Sequence, residues 1–261
     1  MTDSQLKYLL NQKVEEYNVP GFIPLDPIGI PHKYTNLQDI EITGFWTSIL
    51  AWGQRVTIIN KANELFSLMD NSPHDFVLNH QESDRKRFEN FKHRTFNYID
   101  TLYFLEFLQN HYRNYNSLED AFLINGKFID VESSLIHFRE YFFDHPYAPD
   151  RTRKHIASPA RKSTCKRLNM YLRWMVRKDD KGVDFGIWNR IDQSKLMMPL
   201  DVHVERHGRA LGLLKRKQRD WEAVKELTYN LRKFDAVDPV KYDFALFGMG
   251  VDKKGNDLST V

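Results

Sequence analysis

The sequence predicts an all-α protein, and three observations predict it. Apolar residues recur three and four positions apart in one segment after another, the spacing that lines a single face of a helix. No stretch alternates apolar and polar residues between turn signals for long enough to make a strand. Acidic and hydroxyl residues stand just ahead of the apolar stripes, where helix N-caps belong. With 41% hydrophobic residues among 261, the chain can bury a core, and about ten to twelve helices of ordinary length are expected.

Taken in order, Thr2 or Asp3 caps a first helix on which Leu6, Leu9, Leu10 and Val14 share a face. Pro20 to His32 holds four prolines and two glycines and reads as an extended connector. From Asp39 a helical stripe of Ile42, Phe45, Trp46, Ile49 and Leu50 begins. Gly53 interrupts it, and Val56, Ile59, Ala62, Leu65 and Phe66 form the next. Asn97 to Tyr112 (Tyr98, Leu102, Leu105, Phe107) and Val131 to Phe143 give two more helices. Ser117-Leu-Glu-Asp and Asp130-Val-Glu supply N-terminal caps. Two prolines in His145-Pro-Tyr-Ala-Pro-Asp150 stop a helix, and the composition turns basic at once. The expected organisation is an N-terminal helix and connector (1–35) packing on the C-terminal lobe, a helical lobe (36–149) and a second lobe (150–261). Lys253 to Val261 reads as a frayed polar tail.

The net charge of +3 is modest, so its placement carries the information. From Arg151 to Lys178, 28 residues hold ten Lys or Arg and no Asp or Glu. On a helix at about 100° per residue, Lys162, Lys166, Arg173 and Arg177 fall within roughly 60° of one another. Leu168, Tyr171, Leu172 and Met175 lie opposite. A solvated face usually intersperses Glu for i,i+4 pairing, and here there is none, so this face is expected to contact nucleic acid. A single cysteine, Cys165, excludes an internal disulfide and any four-cysteine zinc or iron–sulfur site. No apolar run is long enough for a membrane span and Met-Thr-Asp-Ser-Gln lacks a signal-peptide core. A cytoplasmic protein without membrane contact is therefore expected.

Two residues in this basic half invite chemistry. A lysine amine attacks only as the free base, and Lys166 sits among Lys162, Arg167 and Arg173 near a helix N-terminus, surroundings that disfavour the ammonium. Asp201 follows Pro199-Leu200 at an N-cap position. Capping alone explains it, and capping is compatible with catalysis because it holds the carboxylate rigidly. His203 and His207 are four apart on a helix, as in metal sites. The order His203-Val-Glu205-Arg-His207 is not that of the zinc proteases, and Arg206 and Arg209 would repel a cation, so no metal is expected and His203 is assigned to phosphate contact. Trp46, Trp174 and Trp188 read as core. Trp52, beside Gly53 and Gln54, is the tryptophan expected to stack on a base.

Cys165-Lys166-Arg-Leu-Asn-Met-Tyr-Leu, followed by Met198-Pro-Leu-Asp201-Val-His-Val, resembles the helix–hairpin–helix DNA glycosylases, in particular their 8-oxoguanine branch. Ile49-Leu-Ala-Trp-Gly-Gln54-Arg55-Val resembles the segment from which those enzymes insert a polar wedge into the duplex. Lys241-Tyr-Asp-Phe-Ala-Leu-Phe-Gly248-Met-Gly250 resembles their closing helix. The whole chain also resembles an uncharacterised bacterial family carrying the same blocks. The resemblance covers roughly residues 40 to 250 and implies a two-lobed helix–hairpin–helix fold. Two departures stand out. Ser158-Pro-Ala-Arg-Lys-Ser-Thr164 lacks the family's Gly-x-Gly turn, so either Arg161 and Ser163 take over its phosphate contact or the anchor is lost. The spacing from Lys166 to Asp201 is also longer than usual, consistent with an insertion from Asp179 to Ser194.

The resemblance implies a cofactor-free, monomeric base-excision enzyme acting on double-stranded DNA with a damaged base. Lys166 would attack the sugar C1′ and expel the base, and the resulting Schiff base would permit strand cleavage. Asp201 would activate the lysine and stabilise positive charge on the sugar. Gln54 and Arg55 would fill the gap left by the flipped nucleotide, and Trp52, Arg161, Lys162, Ser163, Arg173, Arg177 and His203 would hold the nucleic acid. The alternatives are a non-catalytic DNA- or RNA-binding module on the same scaffold and, more remotely, a histidine-based metal-dependent phosphohydrolase.

Overall fold

The computed structural model describes residues 1–252, so the expected frayed tail at Lys253 to Val261 lies outside the described residues. Those residues form an all-α protein of ten α-helices linked by 3-10 turns, with one two-stranded hairpin. The chain divides into two compact units: Met1–Ile23 together with the chain from Ser158 onward (unit 1), and Pro24–Ala157 (unit 2). Relative to the boundaries expected from sequence, residues 24–35 and 150–157 both lie in unit 2.

α1 (Asp3–Tyr17) is capped by Thr2, whose hydroxyl accepts from the Gln5 amide while Gln5 reaches back to the Thr2 amide. The connector is not extended. It winds through three 3-10 turns (Pro20–Leu25, Pro27–Gly29 and Pro31–Lys33), each opened by a proline whose fixed φ suits a first helical position.

Unit 2 is built around α2 (Leu37–Leu50), in which every residue from Ile40 to Leu50 is buried. A helix enclosed on all sides must satisfy its polar groups internally. Glu41 accepts from the Tyr112 hydroxyl and the Leu118 amide, both at 2.9 Å, and from the Ser117 hydroxyl. Thr43 and Ser48 donate to carbonyls of their own helix. Around α2 pack α3 (Arg55–Ser67), α4 (Pro73–Asn79), α5 (Tyr98–Asn114) and α6 (Val131–Phe142). Phe45, Phe104, Phe107, Phe138 and Phe142 form one cluster of edge and stacked ring contacts. The buried stripe of α3 is Ile58, Ala62, Leu65 and Phe66; Val56, assigned to it from sequence, is 68% exposed. The hairpin of β1 (Lys92–His93) and β2 (Phe96–Asn97) was not expected, because strands of two residues are too short to show a period.

Unit 1 contains α1, α7 (Lys166–Val176), α8 (Val202–Ala210), α9 (Trp221–Arg232) and α10 (Tyr242–Asp252). α10 packs on both α1 and α8, and two glycines permit the approach. A Cβ at Gly248 would fall 2.2 Å from the Tyr17 ring, and one at Gly250 would fall 2.8 Å from His203. The basic helix begins at Lys166 and ends at Val176, so Lys162 lies ahead of it and Arg177 just past its end. The loop that follows closes its C-terminus, with the Phe185 and Trp188 amides donating to the Trp174 and Met175 carbonyls at 2.8 and 2.9 Å.

Candidate functional site

The segment ahead of α7 makes a tight path without glycine. A 3-10 turn, Pro159–Arg161, leads to Lys162 and then Cys165, both left-handed, with φ of 58° and 50°. Left-handed backbone costs a non-glycine residue roughly 1–2 kcal/mol, so two positions suited to glycine carry strain. What precedes α7 is this turn rather than a regular α-helix. Arg161 and Lys162 are exposed on it. Ser163 is half-buried, and its hydroxyl accepts from the Cys165 amide at 3.2 Å, making it part of the turn.

Lys166 opens α7 half-buried, its Nζ 3.5 Å from the Met170 sulfur one turn along. Asp201 caps α8, its Oδ1 accepting from the His203 and Val204 amides, each at 2.9 Å. The expected cap is therefore present, and one carboxylate oxygen takes both amide bonds.

α10 supplies a residue that sequence reading did not single out, Asp243. Its carboxyl is buried, Oδ2 accepts from the Arg173 guanidinium, and Oδ1 is buried without a hydrogen-bond partner among the described residues. Burial pushes this carboxyl up to about 7 against the pull of Arg173. The charges of Asp201 and Asp184 push the same way, and that of Lys166 opposes them. Asp243 thus lies within electrostatic reach of both Lys166 and Asp201. Packing agrees: Phe247, one turn beyond Asp243, meets the His203 ring with centroids 6.0 Å apart. The signal available in the sequence was an acid inside an otherwise apolar helix, Tyr-Asp243-Phe-Ala-Leu-Phe.

Arg173 and Arg177 do not face solvent, and their assignment to phosphate contact is corrected. They are 5% and 1% exposed. Arg173 donates Nε to Asp184 at 3.2 Å as well as pairing with Asp243. Arg177 meets Asp184 at 3.0 Å, Asp238 at 2.9 Å and Asp179 at 2.7 Å. Both guanidiniums also lie over the Phe244 ring, at 4.4 and 5.3 Å from its centroid. The acids missing from the basic stretch come from the loop after α7 and from the chain around α10. His203 is half-buried, with its ring against Phe247 of α10, and His207 is buried. Among the described residues no three His, Cys, Asp or Glu side chains are grouped to hold a metal ion, and no helix is long and apolar enough to cross a membrane.

Unit 2 carries a separate exposed feature. After α2 the chain turns through Trp52, 46% exposed, Gly53 at φ 114° and Gln54, which precedes α3 without a side-chain capping bond. The Arg94 guanidinium, on the turn of the β1–β2 hairpin, lies 4.9 Å from the Trp52 ring centroid. Gly53 makes the stack possible, since a Cβ there would fall 2.6 Å from Arg94 Nε. His93 holds the base of this knuckle by donating Nε2–H to the Trp52 carbonyl at 3.1 Å, and burial lowers its pKa. Trp52, Gln54 and Arg55 are thereby grouped with Arg94, which sequence reading missed because the hairpin left no pattern. Trp46, Trp174 and Trp188 are core.

A family model described as a protein of unknown function (DUF2400) matches residues 26–252. No curated protein and no solved structure matches the chain.

Proposed function

We propose that this chain, which belongs to the DUF2400 family, is a DNA glycosylase with abasic-site lyase activity that extrudes a damaged base from duplex DNA. The observation that carries this reading is the grouping in unit 1. A half-buried lysine opens a helix, a rigid carboxylate caps the next, and both act electrostatically on one buried acid. Lys166 attacks the sugar C1′. Asp201, whose Oδ1 is committed to the cap amides, keeps its other oxygen for the lysine or for the positive charge that develops on the sugar. Arg161 and Lys162 hold phosphates ahead of α7. Trp52, Gln54 and Arg55, with Arg94, offer a second surface of aromatic, amide and guanidinium groups suited to unstacked bases.

A lysine that forms an imine with deoxyribose is trapped by borohydride as a covalent protein–DNA adduct. The native protein is expected to give this adduct with lesion-bearing or abasic duplex. Lys166→Gln is expected to give none while keeping its circular dichroism spectrum, and Asp201→Asn should bind DNA but lose most turnover. A native protein that never traps across a broad lesion panel sinks the reading. The second reading, a binding module without turnover, is favoured by the exposed Trp52–Arg94 stack, which needs no chemistry to hold nucleic acid.

A further inference from the structure

The Lys166–Asp201 pair leaves one step without a residue. A lysine ammonium must give up a proton before it can attack, and something must hold that proton. Asp201 has its Oδ1 engaged by two backbone amides of the α8 cap, which leaves a single oxygen for this task and for the sugar. Asp243 has the opposite surroundings. It is buried, its Oδ1 has no partner among the described residues, and a single guanidinium, Arg173, meets its Oδ2. Arg173 lies seven residues after Lys166, two turns along the same face of α7. On the side of α8, the face of α10 holding Asp243 and Phe247 meets the first helical turn beyond Asp201, through the His203 ring.

We propose that Asp243 receives the proton of Lys166 and returns it to the departing oxygen or base. This rests on the glycosylase reading above. On an abasic sugar the ammonium proton passes to the Asp243 carboxylate, directly or through one water. The free amine adds to the C1′ aldehyde carbon, and the carbinolamine oxygen leaves as water with the proton that Asp243 gives back. A protonated imine and an ionised Asp243 result, so atoms and charge balance. On a base-bearing sugar the bond to C1′ breaks with its electron pair on the base, and that base takes the same proton. The charged groups facing Asp243 set its balance: Arg173 and Lys166 from α7, Asp201 at the head of α8 and Asp184 from the loop after α7. Burial outweighs the two cations and holds the carboxyl at about 7, where accepting and releasing a proton are both easy.

The test is the single-turnover rate of borohydride trapping on abasic duplex between about pH 5 and about pH 9. The native rate should rise with pH to a plateau, with its midpoint near 7. Asp243→Asn should trap about 100-fold more slowly at neutral pH and recover only in alkali, and Asp243→Glu should restore part of the rate. Parallel profiles for the native protein and Asp243→Asn overturn the proposal and leave the glycosylase reading standing. A native protein that never traps overturns both. If the Asn variant does not fold, the native protein still decides. A buried protonated-carboxyl band in its infrared spectrum should disappear with the same midpoint as the trapping rate rises, and separate midpoints overturn the proposal.

Discussion

Lys166 opens α7 and Arg177 caps its other end, yet the two ends meet opposite surroundings. At the N-terminal end Lys166 is half-buried with the Met170 sulfur 3.5 Å from its amine, and Arg161 and Lys162 just before it are exposed. At the C-terminal end Arg173 and Arg177 are enclosed by Asp179, Asp184, Asp238 and Asp243. Charge of one sign on one helical face therefore has two fates: an end proposed as the reactive one, and an end locked into ion pairs. The buried end is costly to break, because removing one partner strands the others without solvent.

The largest effect expected from this contrast is on stability. Arg177→Ala should cost about 3–5 kcal/mol in denaturant unfolding, since Asp179 and Asp238 lose their guanidinium and Asp184 is left with Arg173 alone. Asp238, whose pKa is already raised by burial, should then titrate higher still. A loss below about 1 kcal/mol would place Arg177 among ordinary surface ion pairs and dissolve the contrast. An intermediate effect belongs to DNA binding. Arg161→Ala and Lys162→Ala should each lower the slope of log affinity against log salt by about 0.9, with unfolding unchanged. If Arg173→Ala, at equal folding, lowers the slope as much as either, the buried end also meets phosphate. The smallest effect sharpens the contrast at its exposed edge. Lys162→Gly relieves left-handed strain and should stabilise the fold by about 1 kcal/mol while still losing its salt-slope contribution.

The amphipathic character of α7 was legible because the partners of its apolar side needed no identification: any core would do. The partners of its basic side had to be particular acids, and those lie two to 70 residues away in the chain. Asp184 is the instructive case. It sits in the stretch read as an insertion, and it is the residue that joins Arg173 to Arg177. Asp201 was legible because a cap is a local event, decided by amides two and three residues on. Asp243 was not, since its significance comes from burial and from charges on two other helices. The Trp52 knuckle was half legible: Gly53 and the exposed tryptophan were visible, and Arg94 was hidden on a hairpin with two-residue strands.

Unit 1 is discontinuous in the chain, and this has a consequence for how the protein is made. The Tyr242 hydroxyl donates to Asn11 at 3.1 Å across 231 residues, and α1 finds its packing surface on α10. The whole of unit 2, Pro24–Ala157, is synthesised between them. On the ribosome unit 2 has all its parts early, whereas α1 must wait for its main packing surface until α10 emerges. Closing so long a loop adds only a slowly growing entropic cost to the finished fold, so the burden falls on folding time rather than on final stability. Lys166, Asp201 and Asp243 all belong to the late unit, and their geometry can be completed only once α10 has been made.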